Sequence, residues 1–327
     1  MQNSKINNLA LILFIASELC YYLLIAQTGI IEHFSSNIYV IAPLPIGGVI
    51  GSLLTYFLKI KSRNKIFIFL VFQFLMSLFY PNFNSLMLFI LGLSVGGLAP
   101  LLINELKKAS AIHMGFALAI SYTVGTTLFN TDPSGRLYLA LILTTITLIT
   151  LFFLPNKKVI LKNNLFEYGL FSMVLWIFLD SALFETLSRD TNLSIWRDGY
   201  SFNIALFHII GVFSALRWQM QKNQKELFII MLFALSYLFY FLQEAFILSL
   251  VYPFVISYYN VVILQTLIKK DLKTISIYMI FIGWLASGAG LFTALESLTL
   301  FVPGIFLICL FKVINTQQQF NKELHYA

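Results

Sequence analysis

Phe14-Ile15-Ala16-Ser17-Glu18-Leu19-Cys20-Tyr21-Tyr22-Leu23-Leu24 sits in the middle of the first long apolar run of a 327-residue chain. Glu18 is a carboxylate where the neighbouring sequence offers no water. Asp180 occupies the matching place 162 residues later, in Trp176-Ile177-Phe178-Leu179-Asp180-Ser181-Ala182-Leu183-Phe184-Glu185-Thr186-Leu187. An ionisable group at bilayer depth costs about 2.5–3.5 kcal/mol on insertion scales. Two such groups, separated by half the chain, point to a duplicated membrane machine with an acidic centre.

Composition sets the class. Hydrophobic residues make up 59% of the chain and charged residues only 11%, against about 25% charged in a soluble domain. So much apolar surface cannot be hidden in a water-facing core, so the chain reads as an all-α integral membrane protein with the lipid bilayer as its solvent. The net charge of +7 would suggest nucleic acid in a soluble protein. Here the basic residues sit in connections, where they set membrane orientation, and no nucleic-acid partner is expected. Cys20 and Cys309 both lie in apolar runs, which argues against a disulfide framework or a metal site. No small-residue cleavage site follows the first run, so it reads as a retained helix.

A spanning helix needs about 20 mostly apolar residues. Twelve runs meet that description, at roughly 8–27, 38–58, 65–80, 84–103, 111–129, 137–154, 166–187, 200–217, 227–242, 246–267, 274–293 and 297–313. Their length excludes barrel strands, which alternate over about ten residues. Alternate connections then divide the basic residues unequally. Lys5, Lys59, Lys61, Arg63, Lys65, Lys107, Lys108, Lys157, Lys158, Lys162, Arg217, Lys222, Lys225, Lys269, Lys270, Lys273, Lys312 and Lys322 fall on one side. Only Arg136, Arg189 and Arg197 fall on the other. The positive-inside rule places the populated side, and both termini, in the cytoplasm of a multi-pass protein of the cytoplasmic (inner) membrane.

The 162-residue offset that superposes Glu18 on Asp180 also superposes Lys107-Lys108 on Lys269-Lys270. Six helices per repeat is an even number, so both halves enter from the same side. The expected architecture is two parallel six-helix repeats: an amino-terminal half over 1–154, a cytoplasmic linker over 155–165 and a carboxy-terminal half over 166–327.

Twelve helices in two parallel halves, with a basic middle loop, resemble the major facilitator superfamily along the whole chain. Gly51-Ser52-Leu53-Leu54-Thr55, followed by Lys59, Lys61 and Arg63, is similar to that family's gating loop between helices two and three. Thr55 stands where the family has an aspartate, so the charge-relay role of that aspartate does not transfer. His113-Met114-Gly115-Phe116-Ala117 resembles the family's helix-five opening without its arginines, and Gly125 alone remains of the antiporter Gly-Pro signature. The resemblance implies a monomeric secondary transporter working by rocking of two halves around a central site, with no cofactor.

Glu18 lies about ten residues into its run, or about 15 Å at 1.5 Å per residue, which is near the midplane. Tyr21 and Tyr22 lie one turn away. A carboxylate there can bind a proton or a cation; the plainer role is a protonated Glu bonded to a neighbouring helix. The same pair of readings applies to Asp180. His208, near the middle of the eighth run, is suited to proton exchange or to neutral packing. Glu185 is closer to the outer end of its run, mouth-lining or interfacial. Tyr259, Asn260 and Trp284 are candidate cavity residues. Pro43, Pro45, Gly47, Gly48, Gly51, Gly92, Gly96, Gly97 and Pro100 thin two helices for close packing or for gating. No metal-ligand spacing, phosphate-binding loop or nucleophile–base pair is present, so neither a metal nor an enzyme is expected. Carboxylates without a deep Lys or Arg point to proton-coupled movement of a small solute, an organic cation or a neutral amphipathic compound, with efflux the preferred direction. The alternatives are an importer or facilitator of a metabolite or metal complex, and a non-transporting membrane scaffold or sensor on the same fold.

Overall fold

The computed structural model describes residues 2–34, 38–155, 168–306 and 311. Every regular element among them is helical. In chain order they are α1 (Gln2–Tyr21), a π-helical segment (Tyr22–Gly29), α2 (Ile30–Phe34), α3 (Ile38–Ile41), α4 (Pro43–Phe57), α5 (Ser62–Ser77), α6 (Ser85–Leu106), α7 (Ala111–Thr127) and α8 (Pro133–Leu151). After the linker come α9 (Leu170–Arg189), α10 (Ser201–Arg217), α11 (Lys222–Phe241), α12 (Ala245–Leu267), α13 (Leu272–Met279), a second π segment (Ile280–Ala286), α14 (Ser287–Leu295) and a 3₁₀ turn (Leu298–Phe301).

Among the described residues, eight helices are long and apolar enough to cross a membrane, so the chain is a multi-pass membrane protein. α5, α7 and α10 are shorter, at 16, 17 and 17 residues, close to the lower end of the spanning range of about 17–25. The first span corrects the expected boundary. It runs from Lys5 to His33, because the chain stays helical past Gln27 by changing from α to π hydrogen bonding. α8 begins at Pro133 rather than 137: Asp132 caps it by accepting from the Gly135 amide, and Pro at the first position fits a helix start. Residues 307–310, 312 and 313 of the expected twelfth run, residues 156–165 of the expected linker, and Lys157, Lys158, Lys162, Lys312, Lys322 and Cys309 lie outside the described residues.

The pairings repeat along the chain. α1 packs on α7, α4 on α6 and α5 on α6; later, α9 packs on α14, α10 on α12 and α11 on α12. The α4–α6 pair shows how sequence permits such packing. A Cβ at Gly92 would lie 1.9 Å from the Leu44 carbonyl oxygen, and one at Gly51 would lie 2.1 Å from that of Leu93. Only glycine allows two backbones to approach so closely in a bilayer, where helices associate through packing and polar contacts. Pro100 lacks the N–H that would bond the Gly96 carbonyl. Ser52 Oγ stands 2.9 Å from that carbonyl, and Thr55 Oγ1 donates to Gly97 O at 2.9 Å. Thr55, at the family's aspartate position, is therefore an interhelical strut. The neighbouring cation finds a carbonyl instead: Lys65 Nζ donates to Thr55 O at 2.6 Å, at the negative end of the α4 dipole.

Gly51→Leu is expected to destabilise the protein by about 1–3 kcal/mol through overpacking, lowering its thermal midpoint in detergent. Gly288→Ala, where an added Cβ meets nothing within 4 Å, should leave the midpoint unchanged. Equal effects would refute the close-packing account.

Candidate functional site

A cavity of about 280 Å³ lies between α1, α6 and α7 on one side and α9, α10, α12 and the second π segment on the other. Glu18, Tyr22, Asp180, His208, Tyr259, Asn260 and Trp284 all line it. The two carboxylates singled out by their depth thus face one space. Two candidates do not. Tyr21 is fully buried and its hydroxyl bonds Ser77 Oγ at 2.8 Å, because neighbouring residues on a helix point about 100° apart. Glu185 is the second. It is 2% exposed and outside the cavity wall, with Oε2 accepting from Arg189 Nη2 at 3.0 Å. A buried carboxylate held by a guanidinium one turn away is a fixed ion pair.

Glu18 and Asp180 are held differently from Glu185 and from each other. Gln73, fully buried on α5, donates through Nε2 to Glu18 Oε2 at 3.2 Å and to Thr144 Oγ1 at 3.2 Å. Its Oε1 has no partner among the described residues. Asp180 accepts from Tyr252 at 2.8 Å on one oxygen and from Tyr259 at 2.5 Å on the other. Tyr252 and Tyr259 both project from α12, and Asn260 lies beside the hydroxyls of Tyr259 and Tyr122. The Tyr122 ring stacks on His208 at 4.4 Å and 3°, and His208 Nδ1 meets Ser257 Oγ at 2.6 Å. The Asp180 cage and the α7–α10 contact are therefore one connected polar and aromatic cluster. Neither cavity carboxylate has a Lys or Arg partner among the described residues.

Both π segments face this cavity. The first contributes Tyr22 and Gln27, the second Gly283 and Trp284. Trp284 packs so tightly on α4 that a Cβ at Gly48 would fall 2.1 Å from its ring. Tyr22 lies beside Ser287, and Gln27 beside Glu185. Away from the basic connections the cavity ends on Trp196, which stacks with Phe129 at 5.0 Å and meets Phe184 at 5.1 Å. Asn130 Nδ2 donates to the Trp196 carbonyl at 2.8 Å. Gln27, Gln73, Tyr122, Trp196 and Tyr252 were not anticipated. Gln73, polar inside an apolar run, carried a readable signal; the tyrosines were lost among 16.

On the basic side, Arg63 of the gating-loop sequence donates to Leu154 O at 2.9 Å, tying the start of α5 to the end of α8. Lys59 and Lys61 are exposed. Lys273 lies over the Tyr56 ring at 5.5 Å, joining the start of α13 to the end of α4. Asp271 caps α13 through the Thr274 amide at 2.8 Å. Its carboxyl is held below the ordinary range by Thr274 first, with smaller contributions from Lys107 and Lys273. Burial pulls the Lys107 ammonium down, while Asp271 opposes that shift.

No family model and no curated protein sequence matches the chain. Among solved structures, the human organic anion transporter MFSD10 (TETRAN) superposes with a TM-score of 0.60 at 12% identity, covering 94% of this chain and 99% of that one. The two chains share a fold. The likeness lies in the path of the helices, since so few residues are shared.

A depressed Asp271 value means that its stabilisation is present above its unfolded pKa, about 3.9, and is lost as pH falls through the folded value. Asp271→Asn should therefore flatten the acid-side fall of the thermal midpoint below about pH 4 and change little near neutrality. An unaltered acid limb would contradict this cap and its cation pairing.

Proposed function

We propose that the chain is a secondary active transporter that moves a small solute by alternating access, coupled to protons through Glu18 and Asp180. The observation that carries the reading is that carboxylates from both parts of the chain line one cavity with neutral partners. An amide and a phenol can each donate or accept, so they can pair with either protonation state. The unpartnered Oε1 of Gln73 is an acceptor available to a protonated Glu18. Glu185, locked to Arg189, has no such freedom and is not assigned to coupling.

The repeated pairings support twelve helices in two six-helix halves, over 1–154 and 166–327, joined by a linker at 155–165. The basic asymmetry supports cytoplasmic termini in a cytoplasmic or inner membrane. The protein works as a monomer. Among the described residues, the cavity wall holds Glu18 and Asp180 and no Lys or Arg, which favours an organic cation or a neutral amphipathic solute. MFSD10 is an organic anion transporter; an acidic cavity departs from that chemistry. Efflux is the direction adopted here.

In proteoliposomes under an imposed pH gradient, a solute panel should reveal a compound whose flux moves protons. Glu18→Gln and Asp180→Asn should each reduce pH-driven flux at least about ten-fold, equivalent to about 1.4 kcal/mol, while Tyr21→Phe retains it. Undiminished pH-driven flux in both carboxylate variants would refute the coupling. Absence of flux for every solute would favour a scaffold or sensor.

A further inference from the structure

A second pocket, of about 470 Å³, opens on the basic side and shares no lining residue with the central cavity. Lys61, Ser62, Arg63 and Asn64, Glu105 at the end of α6, and Lys108 supply its polar wall. Glu105 is already satisfied, since Lys108 Nζ reaches its carboxylate at 2.5 Å. Lys61 and Arg63 therefore leave the pocket with a positive surplus. Arg63 is oriented by the bond from one Nη to Leu154 O, which leaves its other guanidinium donors available. The amides of Ser62 and Arg63 begin α5, and Lys61 offers no side-chain cap, so these donors add to the two cations.

Ile66, Leu151 and Leu154 supply the apolar part of its wall. Phe152 and Phe153, which lie between Leu151 and Leu154 in the chain, are 66% and 51% exposed. A pocket of guanidinium, ammonium and amide donors matches the oxygens of a phosphate. Its apolar wall matches the glycerol and first acyl carbons of a lipid. We propose that this pocket binds the phosphate of an anionic phospholipid headgroup. Bound there, the lipid bridges the α4–α5 turn, the end of α6 and the end of α8.

The test uses the full chain in detergent, titrated with dihexanoyl phosphatidylglycerol, dihexanoyl phosphatidylcholine or inorganic phosphate, with binding read from the thermal midpoint. The phosphatidylglycerol should raise the midpoint of the wild type and bind about ten-fold more weakly to the Lys61→Gln/Lys108→Gln variant. A Lys5→Gln/Lys59→Gln variant, with the same loss of charge outside the pocket, should bind like the wild type. Equal affinity for all three proteins, or for phosphatidylcholine and phosphatidylglycerol, would overturn the site. A matching response to inorganic phosphate at the same concentration would overturn its assignment to a lipid. Because neither carboxylate variant alters this pocket, its binding result stands or falls independently of the transport assay.

Discussion

Polar groups carried into a bilayer must be satisfied inside the protein, because hydrocarbon offers no hydrogen bonds. The structure follows from how that constraint is met. Ser52, Thr55, Thr144 and Thr147 turn their hydroxyls onto carbonyls one turn back or across a helix contact. The helix break that Pro100 would leave is covered from α4. Arg136, 4% exposed, spends its donors on Thr131 and Phe129 carbonyls and on Glu32. Against this background of local satisfaction, the Glu18 and Asp180 carboxylates stand apart. Their partners come from other helices, and those partners are neutral.

On the proposed reading, that distinction separates structural charges from those that couple transport. An ion pair such as Glu185–Arg189 fixes a carboxylate in one state; removing one member leaves the other uncompensated. A carboxylate among phenols and an amide can gain or lose a proton while its neighbours re-pair. Asp180 has the richer cage, and that cage leads through Asn260 and Tyr122 to the His208 stack between α7 and α10. A change of charge at Asp180 is thus felt where the two parts of the chain meet. The two π segments serve the same place. Such segments occur frequently at functional sites, and here each sets cavity side chains at angles an unbroken α-helix would not give.

Run length and the asymmetry of Lys and Arg made the helical class and most helix limits legible in the sequence. Both signals are compositional and survive without relatives. The π segments were illegible because nothing in Tyr22–Gly29 or Ile280–Ala286 marks a shift of hydrogen-bond register. The first helix was accordingly read too short. Glu18 and Asp180 stood out by charge at depth, which is costly enough to demand a reason. Tyr21 and Tyr22 could not be separated, since choosing between them needs the rotation of the helix. For Glu185 the corrective signal was present: Arg189 follows at the spacing that joins side chains on a helix. The cage tyrosines carry no mark that distinguishes them from lipid-facing aromatics.

The central claim is that the two carboxylate positions face one cavity across the two parts of the chain. Cross-linking tests it without knowledge of the solute. Glu18 and Asp180 would be replaced together by cysteine in a chain whose Cys20 and Cys309 are serine, then treated with flexible bis-thiosulfonates of increasing length. An intramolecular link between positions 18 and 180, seen by mass spectrometry and absent when Tyr21 replaces Glu18 as the cysteine site, is the expected result. Failure of every reagent length to join positions 18 and 180, with both thiols shown to be reactive, would contradict the account.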